Sequence, residues 1–125
     1  MRKLGLIGGM SWFSTRSYYE RINKLVQRRV GDHASAPLLI ESLDFSDLVR
    51  LSTAEDWNRA AGILSDSAKR LEVAGATAIL ICANSMHKVY DQVASAVSVP
   101  VLHIAECVGD VEHRHGDGGG HLVID

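Results

Sequence analysis

Ala78-Ile79-Leu80-Ile81-Cys82-Ala83-Asn84-Ser85-Met86-His87 decides the fold. An apolar run ends in small polar residues, and a helical pattern follows at once. The run is short and bounded by Gly75, so it reads as a buried strand. Asn84 and Ser85 then stand where a helix begins and offers unpaired N–H groups and the positive end of its dipole. A carboxylate or phosphate can bind at such a place. Leu4-Gly5-Leu6-Ile7-Gly8-Gly9-Met10-Ser11-Trp12 is built the same way. Two such turns on one parallel sheet open at the same edge and can converge on one small anionic ligand.

Working outward, Lys3–Ile7 reads as the first strand and about Phe13 to Arg29 as a helix, with Tyr18, Ile22, Leu25 and Val26 at helical spacing and Gly31 as its stop. Pro37 precedes a second strand, Leu38-Leu39-Ile40, and Asp44-Phe45-Ser46-Asp47 reads as a turn or short helix. Ser52-Thr53-Ala54-Glu55 is a capping-box pattern that opens a long helix, lined by Trp57, Ala61, Leu64, Ala68 and Leu71 and ended by Gly75. Thr77–Ile81 is the third strand, Met86 to Ala96 a helix carrying Val89, Val93 and Ala96, and Val99–Ile104 the fourth strand. The order β-α-β-α-β-α-β predicts an α/β fold with a parallel sheet of about four strands and helices on both faces. Right-handed crossovers put every strand-to-helix turn at the carboxyl edge, where ligands bind near the switch point in strand order.

A chain of 125 residues with 46% hydrophobic side chains fits one domain with a real core. The formal net charge of −2 gives no reason to expect nucleic acid as a partner. Cys82 and Cys107 form no disulfide framework, which suits a reducing, cytoplasmic setting. Met1-Arg2-Lys3 leads into an apolar run too short for a signal peptide or a membrane span. Beyond Ala105 the periodicity stops. His113, His115 and His121 there admit a metal-binding reading, but with no fixed geometry an irregular tail is preferred, and no metal is expected. His121-Leu122-Val123-Ile124-Asp125 could begin a further strand.

Gly5–Trp12, Leu43-Asp44-Phe45 and Asn84-Ser85-Met86-His87-Lys88 together resemble the aspartate/glutamate racemase family, and Pro100–Ile104 fits the strand that follows in it. The resemblance covers roughly residues 3–106. It implies half of a two-domain enzyme in which two similar α/β halves face each other across a cleft, usually as homodimers and without pyridoxal phosphate or another cofactor. It implies an isomerase working by 1,1-proton transfer, with a cysteine thiolate removing the α-proton and an opposed thiol returning one. Its substrate would be a small acidic amino acid such as aspartate or glutamate. Residues 1–105 would be the racemase-like domain and 106–125 an irregular tail, the truncated or frame-shifted start of a missing second domain.

The same resemblance assigns substrate contact to Met10, Ser11, Ser52, Asn84, Ser85 and Met86. Each polar member has a local reading beside it: Asn84, Ser85 and Ser11 can be plain helix caps, and for Ser52 the cap is preferred. Where the family has cysteine directly before asparagine, this chain has Ala83, and Cys82 stands one residue earlier. Neighbouring strand side chains point to opposite faces, so Cys82 is either a catalytic thiol that swings into the cleft or, the preferred reading, a structural thiol in the sheet packing. Arg50 could pair with a substrate carboxylate, although a solvated arginine is preferred. His87 and His103 read as structural, and Trp12 and Trp57 as core or interface aromatics. Gly8-Gly9 permits close backbone approach but is not a dinucleotide fingerprint. The functional expectation is a racemase-type chain with weak or no activity alone. The alternatives are a non-catalytic module binding a small acidic amino acid or other anion, and a structural remnant that dimerises over an exposed sheet edge.

Overall fold

The computed structural model describes residues 2–46, 53–82 and 89–102. Seven elements alternate: β1 (Leu4–Gly8), α1 (Trp12–Val30), β2 (Leu38–Ser42), α2 (Ala54–Val73), β3 (Ala78–Ile81), α3 (Tyr90–Ala96) and β4 (Val101–Leu102). All strand pairs are parallel, in the order β2-β1-β3-β4. From β1 the chain moves outward to β2, then crosses back over β1 to β3. The switch point therefore lies between β1 and β3, the strands that end at Gly8 and at Ile81, just before Cys82. No helix among the described residues is long and apolar enough to cross a membrane.

The parity of each strand sorts the core into two faces. Ile7, Ile79, Ile81 and Val101 point to the side covered by α2 and α3, where they meet Ala61, Leu64, Ala68, Leu71 and Val93. Leu4, Leu6, Leu80 and Cys82 point to the other side, where Ile22 of α1 covers them. Each buried aliphatic side chain stabilises the fold by about 1.5–3 kcal/mol relative to exposure.

Local chemistry sets the boundaries. The capping box of α2 is Thr53 with Asp56, one residue later than the Ser52–Glu55 pair read from the sequence: the Asp56 N–H donates to Thr53 Oγ1 at 3.1 Å, and the Thr53 N–H to Asp56 Oδ2 at 3.3 Å. The S/T-x-x-D/E pattern occurs twice in overlapping frames. The Trp57 N–H bonds to the Thr53 carbonyl, which selects the second frame. Gly75, at φ 110°, follows the end of α2 as expected. β2 runs two residues past Ile40 because Glu41 and Ser42 continue in register with Ile7 and Gly8. β4 begins later than Val99 because Glu72 Oε2 takes the N–H groups of Ser98 (2.8 Å) and Val99 (3.2 Å) and the Ser98 hydroxyl (2.6 Å). The expected helix start at Met86 and the strand end at Ile104 lie outside the described residues.

Candidate functional site

The first turn at the switch point is tied from within. The Leu43 N–H donates to the Gly8 carbonyl at 2.8 Å and the Gly9 N–H to Thr15 Oγ1 at 3.0 Å. The Thr15 hydroxyl in turn donates to the Ser11 carbonyl at 3.3 Å. Gly9 has φ 90°, and a β-carbon on it would run into the backbone of Leu43; one on Gly8 would come within 2.6 Å of Thr15. The close approach that the glycine pair permits is thus filled by this chain's own β2–α2 connection. Thr15 and the Leu43 backbone are the residues that sequence reasoning missed. A hydroxyl one helical turn after Ser11 was the available signal for the first, and a contact between distant segments leaves none for the second.

Ser11 is the N-cap of α1 and exposed, and its side chain makes no cap hydrogen bond, so its hydroxyl can turn toward a ligand. Met10 is half-buried and packs against the α2/α3 core. Trp12 and Phe13 follow on the surface, each 58% exposed. Their rings stack at 3.8 Å, with the Arg16 guanidinium 5.8 Å from both centroids. Trp12 therefore stays out of the core, whereas Trp57 packs against it. At the tip of β2, Asp44 Oδ1 accepts from the Ser46 N–H at 3.0 Å, which lowers the Asp44 pKa.

Cys82 closes β3 beside this turn, its N–H donating to the Ile7 carbonyl at 3.0 Å. Its side chain is on the α1 side with Leu4, Leu6, Ile22 and Leu80, fully buried. Its thiol points to the Leu80 carbonyl, with the sulfur 4.0 Å from that oxygen. Burial pushes the thiol up to about 12, because an apolar site penalises the thiolate. In this position Cys82 is protonated at neutral pH, and a protonated thiol cannot take a proton from carbon.

The structure thus brings Met10, Ser11 and Cys82 to the carboxyl ends of two neighbouring strands. Ser52, Asn84, Ser85 and Met86 lie outside the described residues, as do Arg50, His87, Lys88, His103 and the three tail histidines. Among the described residues no group of three His, Cys, Asp or Glu could hold a metal ion.

A parallel α/β sheet whose strand order reverses between β1 and β3 defines a class of domains in which ligands bind at the carboxyl ends of the strands. Sequence comparison narrows it: residues 7–123 match the Asp/Glu/hydantoin racemase family, and the chain belongs to that family. The match continues beyond Ala105, where the periodicity of the sequence stops. A candidate Asp/Glu racemase from Yersinia pestis is 43% identical and superposes with a TM-score of 0.81, covering 90% of this chain and 50% of that one. An aspartate racemase homologue from Pyrococcus horikoshii is 33% identical, also at a TM-score of 0.81, over 92% of this chain and 50% of that one. The chain spans about half the length of these solved structures.

Proposed function

We propose that this chain supplies the first half of a cofactor-independent aspartate/glutamate racemase site and that, alone, it exchanges the substrate α-proton slowly or not at all. The carboxylate of an acidic amino acid is held at the carboxyl ends of β1 and β3. In the two-half enzyme a thiolate on one face takes the α-proton and becomes a thiol. A thiol on the other face gives its proton to the carbon and becomes a thiolate. N–H donors stabilise the enolate-like charge between the two steps. The proposal takes residues 1–105 as the racemase-like domain, 106–125 as the start of a second, and the working enzyme as a cytoplasmic homodimer without pyridoxal phosphate.

The observation that carries this reading is the adjacency of the ends of β1 and β3. The Cys82 N–H to Ile7 carbonyl bond sets the tip of β3 beside Gly8 at the switch point, in a chain of the racemase family. The low activity is supported by the buried, protonated state of Cys82. Deuterium wash-in at the α-carbon of L- and D-aspartate and glutamate tests it. The expected result is exchange no faster than the blank, together with a rise in melting temperature on adding the same amino acids. Rapid wash-in by the 125-residue chain would sink the low-activity reading, and Cys82→Ala would then report whether that thiol is responsible. No melting shift with any of the four would sink the binding site itself.

A further inference from the structure

Thr15 grips the turn after β1 through both its backbone and its side chain. Its N–H donates to the Ser11 carbonyl at 3.2 Å. Its hydroxyl donates to the same carbonyl at 3.3 Å and accepts the Gly9 N–H at 3.0 Å. A hydroxyl has one hydrogen to give, and threonine inside a helix commonly gives it to the carbonyl one turn back. The bond from Gly9 is of another kind. It spans the turn from outside the helix and holds Gly9 at φ 90°. The side chain also lies flat over Gly8, where a β-carbon would come within 2.6 Å of Thr15 Oγ1 and Cγ2. Thr15 is therefore a clip across Gly9-Met10-Ser11.

The clip changes what the cap residue has to do. An N-cap serine ordinarily spends its side-chain oxygen on an N–H of the first helical turn. Ser11 has the extended backbone of an N-cap, at φ −141° and ψ 108°, yet its side chain makes no cap hydrogen bond and is exposed. Thr15 holds the Ser11 backbone from inside the helix, and the Ser11 hydroxyl stays available at the carboxyl edge. We propose that Thr15 is a positioning residue: it fixes Ser11 so that the Ser11 hydroxyl donates to the carboxylate of the acidic amino acid. Thr15 does not itself touch that substrate, because its hydroxyl hydrogen is committed to Ser11 and its oxygen to Gly9. A hydroxyl already in place adds to affinity, whereas one that must be ordered on binding gives part of that gain back. The inference rests on the substrate site proposed above and names the residue that shapes it.

Calorimetric titration of the full chain with L-aspartate and L-glutamate tests it, at a temperature where every variant is folded. Thr15→Val keeps the shape and removes the hydroxyl, and binding should weaken about tenfold, the scale of one hydrogen bond to a charged group. Thr15→Ser restores the hydroxyl and should bind within about threefold of the wild type. Ser11→Ala should also weaken binding about tenfold, and it should hardly move the urea midpoint because no cap hydrogen bond is lost. The double variant separates positioning from general loosening of the turn. If Thr15 acts through Ser11, the two changes together bind no worse than Ser11→Ala alone; independent losses would multiply to about a hundredfold. Wild-type affinity in Thr15→Val, or losses that multiply, overturns the role of Thr15 and leaves the substrate site standing. If Thr15→Val does not fold, Ser11→Ala decides, and unchanged binding in that variant overturns the inference. A wild-type chain that binds neither amino acid overturns the substrate site and the inference with it.

Discussion

The two faces of the sheet are built to different depths. On the side of α2 and α3, two helices lie on Ile7, Ile79, Ile81 and Val101, and half-buried Met10, Leu43, Phe45 and Trp57 extend the apolar layer toward the carboxyl edge. On the other side, among the described residues, α1 is the one helix over Leu4, Leu6, Leu80 and Cys82, mainly through Ile22. The deep face anchors the turn after β1 through Met10 and Leu43. The thin face holds the thiol on which catalysis by this chain would depend. The difference teaches that Cys82 is held in the less covered half of the core by strand parity, and that any chemistry there requires the thiol to leave it.

Truncating one residue on each face tests this asymmetry most strongly. Leu64→Ala empties a fully buried position beneath α2 and is expected to cost about 3–5 kcal/mol. Ile22→Ala, at a 2%-exposed position with half-buried Tyr18 and Ala36 nearby to close in, should cost about 2–3 kcal/mol. Urea midpoints at unchanged slope measure both. Equal losses would mean that the two faces are equally deep.

Next in size is the link between the deep face and the site. Gly9→Ala places a β-carbon at φ 90° against the Leu43 backbone, so both strain and overlap act, and the expected loss is about 2–4 kcal/mol. A loss below about 1 kcal/mol, in the same urea assay, would show that the β2–α2 connection gives way and does not brace the turn.

The general architecture was legible because the signals that carry it are local. The period of Ile22 and Val26, the apolar run Ala78–Ile81 and the glycines after α1 and α2 each act through their own neighbours. The expectation that a ligand binds at the carboxyl edge rests on parallel topology alone. What escaped depends on distant partners. Nothing near Glu72 in sequence announces that it will hold Ser98 and Val99 and so shorten β4. The S/T-x-x-D/E pattern overlaps itself, so the capping frame is settled by the first helical hydrogen bond. The face of Cys82 was readable from alternation, because β3 keeps strand geometry up to that residue. Its neighbours Asn84 and Ser85 follow where the described strand has already ended.

The thiol offers a smaller test of the thin face. In a Cys107→Ser chain, Cys82 should resist iodoacetamide at pH 8 in native buffer and react fully in denaturant, since it is fully buried and its thiolate is penalised. Cys82→Ser puts a hydroxyl among Leu4, Leu6 and Ile22 and is expected to cost about 1–3 kcal/mol. Native-state alkylation at the rate of a free thiol would show that the α1 side opens readily, and would return Cys82 to the list of possible acid/base groups.

The smallest expected effect lies on the deep face, at the Glu72 carboxylate that organises the approach to β4. The Ser98 hydroxyl and the Ser98 N–H, with the Val99 N–H, hold its pKa below the usual glutamate range, and desolvation opposes them. A carboxyl whose folded pKa is depressed binds its proton more weakly in the folded chain than in the unfolded one. Its contribution to stability is therefore complete above the unfolded value of about 4.3 and fades as pH falls through the lower folded value. Glu41, lowered first by its hydrogen bond to Arg70, contributes with the same sign in the same range. Melting temperature followed from pH 6 to pH 3, a span chosen to bracket about 4.3, should fall for the wild type. Glu72→Gln should start lower and fall less steeply, because that titration is gone. Parallel curves for the two proteins would mean that the carboxylate is solvated, and that β4 owes its late start to Pro100 and the α3 packing instead.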